Sequence, residues 1–281
     1  MNRITRGAAR ASPSQNFACP RTNPNHPVAV NARIAVLCLL VAGMTGYCRA
    51  EVLIVADEFP AMEVVAARLK SEEHIESRLV RQTGLPKPLA PFEAVVVYIH
   101  GALSETAEDA FIDYANAGGN LVLLHHSISS GKRSNRRWFS FLGVALPEGG
   151  LDRGGYKWIE PASFDLVNLA PAHFIMTNRV TYPLNVSYTT TNAPGGASLP
   201  AFRLEHSEVY LNHVLAGPRT VLMGLKYRDE KTGMVYMQDH AGWTKPAGKG
   251  RIVYLMPGHR KEDFEDPAYA RIVLNAVISR P

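Results

Sequence analysis

The sequence predicts an α/β fold with a mostly parallel sheet, and three observations carry that prediction. Short apolar runs recur at 94–99, 121–124 and 252–256, bounded by turn residues and followed by His100, His125 and, after a Pro-Gly turn, His259. Runs of this length without polar alternation belong to strands buried on both faces. Segments with helical spacing stand between several of them, as βαβ units require. A fourth run, 51–56, ends in Asp57 and Glu58 instead of histidine. In open α/β sheets ligands bind beyond the carboxyl ends of the strands. The titratable groups at those ends are therefore expected to share one site.

The elements follow in order. After the strand at 51–57, Met62, Val65, Ala66 and Leu69 recur at helical spacing within 61–71. Residues 76–82 read as an edge strand, and Pro86, Pro88 and Pro91 mark the turn before the strand at 92–100. Ser104 is an N-cap, with Glu105, Glu108 and Asp109 in the first turn, where the helix dipole favours anions. That helix carries Ala107, Phe111, Tyr114 and Ala115 inward and stops at Gly118-Gly119. A short helix is expected within 134–142, and a Gly-rich loop at 143–156. A second loop rich in Gly, Pro, Asn and Ser is expected at 189–200. The runs 203–214, 220–227 and 234–238 read as strands of a β-rich insertion, before a last strand at 251–256 and a helix over 267–278.

The first 50 residues carry six arginines, no lysine and no acid, and 34–46 is apolar apart from Thr45. A positive flank, a 13-residue apolar run and Ala50 before the cut predict a secretory signal over about 31–50, too short for a membrane span. The prefix 1–30 reads as a disordered tail or as a start assigned too early, leaving 51–281 as one domain. Cleavage predicts a periplasmic or secreted protein beginning at Glu51. N-terminal sequencing of the exported chain tests this, and a mature start well before Glu51 overturns it. Losing the leader removes six of 30 basic side chains and none of 25 acids, so the net charge moves from +5 to −1. No basic block is left to suggest nucleic acid or anionic lipid. Cys19, Cys38 and Cys48 all lie in the leader, which removes disulfides, thiolate metal ligands and cysteine nucleophiles from the mature domain.

Several segments match one family in order. Residues 117–125 (AGGNLVLLH) resemble a strand of the pattern "aGGglvglH". Residues 172–175 are similar to an "HPI" segment with Phe174 for proline, and 207–210 to "DElY" with Ser207 for aspartate. Trp243-Thr244, 248–254 and Gly258-His259 match "Wt…yGkGRvfyts.GH". The chain thus resembles the ThuA-like (trehalose utilisation) family of the class I glutamine amidotransferase-like superfamily. The resemblance implies a flavodoxin-like three-layer sandwich with a β-rich insertion in the second half. It also implies a role in carbohydrate utilisation, with keto-sugars as a candidate substrate class.

His125 falls at the strand-to-helix turn where amidotransferases of this fold hold cysteine. Glutamine hydrolysis by a thiolate is therefore excluded, and Ser127 lacks the small flanking residues of an elbow serine. Imidazole near neutral pH serves as a general base or a metal ligand. The candidate catalytic residues are His125, His259, Glu208 and Tyr210, the last two resting on the family match. Asp57, Glu58, His100 and Trp243 are candidate substrate contacts. A divalent metal such as zinc is expected on His125 and His259, with His100 and Glu208 as further candidate ligands. His126 should point to the opposite side of its strand. His206 and Glu208, two apart on a strand, should share a face. His240 in Gln238-Asp239-His240 reads as turn chemistry, and Gly248-Lys249-Gly250 lacks phosphate-loop spacing. The expected reaction is of the hydrolase or isomerase/lyase class on a small carbohydrate. The alternative is a non-catalytic sugar-binding module, and the oligomeric state stays open.

Overall fold

The computed structural model describes residues 51–190 and 193–280. The expected signal, prefix and three cysteines lie outside them, as does part of the loop expected at 189–200.

The elements are β1 (Glu51–Ala56), α1 (Pro60–Glu73), β2 (Glu76–Val80), β3 (Ala94–Tyr98), α2 (Glu105–Ala117) and β4 (Asn120–Leu124). Then come α3 (Trp138–Leu142), β5 (Val144–Ala145), β6 (Lys157–Asn168), α4 (Phe174–Thr177), β7 (Leu184–Thr190), β8 (Ala193–Leu211) and β9 (Val214–Leu215). The chain closes with β10 (Thr220–Arg228), β11 (Val235–Ala247), β12 (Gly250–Leu255) and α5 (Pro267–Ile278). Among the described residues ten strands form one mixed sheet in the order β2-β1-β3-β4-β12-β11-β10-β6-β8-β7, and β5 pairs with β9 apart from it.

The first five strands of that order are parallel and the other five antiparallel. The β-rich insertion thus extends the same sheet. β1 to β2 and β3 to β4 cross over in opposite directions along the sheet. Right-handed connections then put α1 and α2 on opposite faces, which makes the flavodoxin/amidotransferase-like three layers. β3 and β4 are buried along their whole length, as their unbroken apolar runs require. Ser104 Oγ accepts from the Ala107 N–H to start α2, as read from the sequence.

One expectation fails. The 189–200 stretch is largely strand, because Tyr188 pairs with Ala197 and Leu184 with Ala201 in the β7–β8 hairpin. Pairing along a long ladder outweighs the loop composition of Gly195, Gly196 and Pro200.

Candidate functional site

β4 ends at Leu124, and His125 takes a left-handed φ of 42°, rare for a residue with a side chain. A tight 3-10 turn over His125–Ser127 follows. This reverses strand alternation, so His126 joins His125 at the sheet edge and does not point to the far side as expected. β12 supplies the neighbouring wall. After Leu255 the chain runs through Pro257 and Gly258 to His259. Gly258 has a φ of 108°, and a Cβ there would stand 2.5 Å from Phe264 Cζ. Gly258→Ala should cost about 1–3 kcal/mol and displace His259. Urea unfolding checks the cost, and wild-type stability overturns it.

Glu208 comes from the antiparallel half. Two bulges lie back to back between β6 and β8. Ile159 pairs with Val209 and Ala162 with Ser207, so Glu160 and Pro161 face Glu208. Phe164 pairs with Leu204, leaving Glu205 and His206 opposite Ser163. Bulges re-aim side chains beside sites. Here His206 is exposed while Glu208 is buried, so the two do not share a face as expected. Ser207, at the aspartate position of the motif, donates from Oγ to Asp263 Oδ2 at 2.6 Å and ties β8 to the turn before α5.

The cluster has a definite proton arrangement. His125 Nδ1 lies 2.6 Å from the Met256 carbonyl oxygen, which only accepts, so Nδ1 carries hydrogen. His125 Nε2 therefore turns its lone pair inward, 2.8 Å from Glu208 Oε2 and 3.2 Å from His259 Nδ1. His259 Nε2 meets Glu160 Oε1 at 2.9 Å, and its Nδ1 stands 3.3 Å from Glu208 Oε2. Three electron-pair donors thus face one another at van der Waals distance or less, and a proton or a cation must stand among them. The Tyr210 ring stacks on His125, and its hydroxyl sits 2.6 Å from His126 Nδ1.

Burial alone would raise the Glu208 carboxyl, yet the two imidazoles against it, His125 and His259, hold it down to about 2. The hydrogen bond to Glu208 raises His259 above its ordinary value against its own burial. Burial, then the charges of the neighbouring histidines, lowers His126. Burial raises Tyr210 well above the ordinary phenol.

The other expected residues divide. His100 sits half-exposed at the rim, its ring against His126 and its Nδ1 3.4 Å from Glu58 Oε1. It contributes no atom to the His125–Glu208–His259 triangle. Asp57 Oδ2 accepts the His100 N–H at 2.7 Å and shapes that loop. Trp243 is fully buried, between the Arg219 guanidinium and Tyr254, and has no face for a sugar. Its position on an inner strand decides that. His173 caps α4.

Sequence reasoning missed Glu160, the Met256 carbonyl and Lys132. The buried Lys132 ammonium donates to the carbonyls of Ile99, Gly101 and His126 at 2.7, 2.5 and 3.0 Å, fastening the loops after β3 and β4. A lysine one residue past Gly131 gives no sign of this burial. A larger cavity of about 1090 Å³ opens at the other edge of the sheet, beside Phe92, Tyr114 and Val277, away from the imidazoles.

The family model described as trehalose utilisation, ThuA, matches residues 51–278. The chain belongs to the ThuA family. Membership points to a role in sugar utilisation. A ThuA-like protein from Bacteroides uniformis is similar in structure, with a TM-score of 0.55 at 17% identity, over 81% of this chain and 89% of that one. A cytoplasmic protein from Salmonella typhimurium matches with a TM-score of 0.52 at 14% identity, over 81% and 98%. A glutamine amidotransferase from Thermotoga maritima matches with a TM-score of 0.46 at 13% identity, over 82% and 99%. No curated protein matches the chain. In this ThuA protein the residue after β4 is His125. Among the described residues no helix is long and apolar enough to cross a membrane.

Proposed function

We propose that this ThuA protein is an exported carbohydrate-processing enzyme that uses a divalent metal on His125 Nε2, His259 Nδ1 and Glu208 Oε2. One observation carries the reading. The three atoms form a triangle with edges of 2.8, 3.2 and 3.3 Å. Ligands bound at ordinary zinc distances with angles near 90–109° stand roughly 2.8–3.6 Å apart. Two imidazoles and one carboxylate on a corner also leave positions open for substrate. His126 lies next to this corner, its Nδ1 3.9 Å from Glu208 Oε2, and is a further donor within reach. The outer partners fit as well. Met256 and Glu160 each take the remaining N–H of a ligating ring, which orients the ring and sets its tautomer.

When bound, the ion supplies Lewis-acid polarisation of a carbonyl or hydroxyl oxygen. The protein holds the protons. Tyr210 stays protonated and can donate, and His126 stays neutral and can accept. Such opposed shifts in neighbouring groups mark a donor–acceptor pair. Cysteine is absent from 51–281, so the chain does not hydrolyse glutamine through a thiolate. Keto-sugars, whose carbonyl gives both the ion and the acid a target, are the substrate class to test first.

The test is elemental analysis of untagged protein with zinc titration, followed by a keto-sugar panel. Stoichiometric metal and metal-dependent turnover are expected. Binding of sugar with no product after prolonged incubation would instead make the chain a non-catalytic sugar-binding module. Glu160→Gln should weaken zinc binding about 10–100-fold without unfolding the protein, and wild-type affinity in that variant sinks the outer-partner role.

Zinc binding should also depend on pH. Protons compete for His259 Nδ1, whose pKa is raised, so affinity should fall about tenfold per pH unit below that pKa. In the ion-free protein the two shifts act in opposite directions. Glu208 is depressed, so its contribution is present above its ordinary 4.5 and is lost as pH falls towards about 2. His259 is raised, so its contribution is present below its ordinary 6.5 and is lost as pH rises through the raised value. The pair therefore stabilises the ion-free protein most between 4.5 and 6.5. Burial lowers His126, which favours the folded state above 6.5 and opposes the pair. The check is therefore the difference in Tm between wild type and Glu208→Gln against pH, and that difference should be largest between 4.5 and 6.5.

A further inference from the structure

A second cavity, of about 450 Å³, lies between the ends of β8 and β11, lined by His213, His240, Asn212, Gln238 and Thr189 among others. None of the three proposed metal ligands lines it. His240 sits in an irregularity of β11 where Asp239, His240 and Ala241 together face the single residue Gly224 of β10. That irregularity turns its ring to the cavity in place of the sheet face.

The polar atoms here leave a specific set unused. Gln238 Oε1 accepts from the Asn212 N–H at 2.8 Å and from His240 Nε2 at 2.6 Å. Gln238 Nε2 donates to Asn212 Oδ1, and Asn212 Nδ2 to the Gly155 carbonyl. Both amides are thus engaged, and they set His240 with hydrogen on Nε2 and a bare lone pair on Nδ1. That Nδ1 and both ring nitrogens of His213 have no protein partner. His213 is 6% exposed and His240 4%, with ring centroids 5.0 Å apart. A buried polar group without a partner costs about 1–3 kcal/mol, and these three belong to two residues that line one cavity, so a ligand that draws the rings towards it recovers that cost.

We infer that this cavity is a second binding site of the protein, for a neutral polyhydroxylated ligand the size of a sugar ring. The unused atoms comprise one N–H donor and two lone pairs, a mixture that hydroxyl groups complement because each both donates and accepts. The volume lies within the range of small-molecule sites. Among the described residues no lysine or arginine lines the cavity, and burial keeps both imidazoles uncharged at neutral pH, so a phosphorylated ligand finds no counter-charge there. Among the described residues a metal ion would find two imidazoles and the Asp239 carboxylate, which already accepts from the Tyr188 hydroxyl at 2.8 Å. The rim is accessible, since Val214 is 50% exposed. Tyr210 stands between the two sites, its ring centroid 4.8 Å from that of His125 and 5.7 Å from that of His213. The assignment does not depend on a metal at His125.

Calorimetry with D-glucose, trehalose and glucose 6-phosphate tests it on the whole protein and on three variants. His213→Phe and His240→Phe keep ring volume but delete the free nitrogens, and Glu208→Gln disables the metal triangle. Glucose or trehalose should bind wild type and Glu208→Gln alike. Either phenylalanine variant, folded by circular dichroism, should bind at least tenfold more weakly, and glucose 6-phosphate more weakly than glucose. The second site is overturned if no saturable binding of either neutral sugar occurs, or if binding vanishes in Glu208→Gln and persists in both phenylalanine variants. It is equally overturned if glucose 6-phosphate binds as tightly as glucose, or if zinc binds Glu208→Gln and is lost from His213→Phe. Should one phenylalanine variant fail to fold, the other decides.

Discussion

Glu208→Gln should abolish stoichiometric metal binding and reduce turnover by at least 10³-fold while leaving the fold intact. The carboxylate is the sole anion within the triangle, so its replacement by a neutral amide removes the charge that draws a divalent cation between two imidazoles. The amide keeps nearly the same volume and can still donate to or accept from His125 and His259. Stability should therefore change far less than activity. Metal content, calorimetric zinc affinity and kcat on the keto-sugar panel are the measurements. A variant that retains one equivalent of zinc at wild-type affinity would refute the triangle as the metal site. Loss of metal with unchanged turnover would leave the site architectural. His125→Ala should behave likewise, and it further opens a hole beneath Tyr210, so the glutamine variant is the cleaner test.

Lys132→Met should destabilise the protein by about 3 kcal/mol or more, the largest stability effect we expect from a single surface-remote side chain. Methionine fills much of the same volume but donates nothing. The carbonyls of Ile99, Gly101 and His126 would then be left buried without the donor they share, at about 1–3 kcal/mol for each group that water cannot reach. Burial lowers the Lys132 ammonium to about 8, so it remains mainly charged at neutral pH and keeps its donors. The consequence extends to the site, because the same ammonium holds the loop bearing His100 and the turn bearing His126. Urea unfolding gives the stability change from the shift in midpoint at unchanged slope. A variant within 0.5 kcal/mol of wild type, by the usual scale of neutral surface changes, would mean that water replaces the ammonium.

Much of this molecule was readable without coordinates. The apolar runs that became β1, β3, β4 and β12 are short and uninterrupted. A strand buried on both faces tolerates nothing else, so their character and their parallel pairing follow from local composition. Ser104 and the acids after it marked the start of α2, because capping involves only residues within one turn. The strand-end positions of His125 and His259 followed in turn. The hairpin of β7 and β8 did not, since its ladder joins Leu184 to Ala201 across a sequence that reads as loop. Propensity there is weaker than the pairing it opposes.

The arrangement of the site depended on features of a different range. His126 enters the cluster only because His125 adopts a left-handed φ, and no pattern in Leu123-Leu124-His125-His126 announces that turn. Glu208 and His206 part company through two opposed bulges, which exist only in relation to β6. Trp243 is hidden because β11 lies inside a ten-stranded sheet, and strand rank is set by the order of all the strands together. Sequence by itself determined the fold class, the parallel half of the sheet, the sheet edge that carries the imidazoles and the lack of cysteine within 51–281, because each depends on residue identity and on spacings within one element. Tertiary structure alone decided which nitrogens face Glu208, that Glu160 and Met256 orient the rings, that Lys132 is a buried tie, and that His213 and His240 share a cavity. Those properties depend on angles and distances between segments remote in the chain, where a single bulge or positive φ changes which way a side chain points.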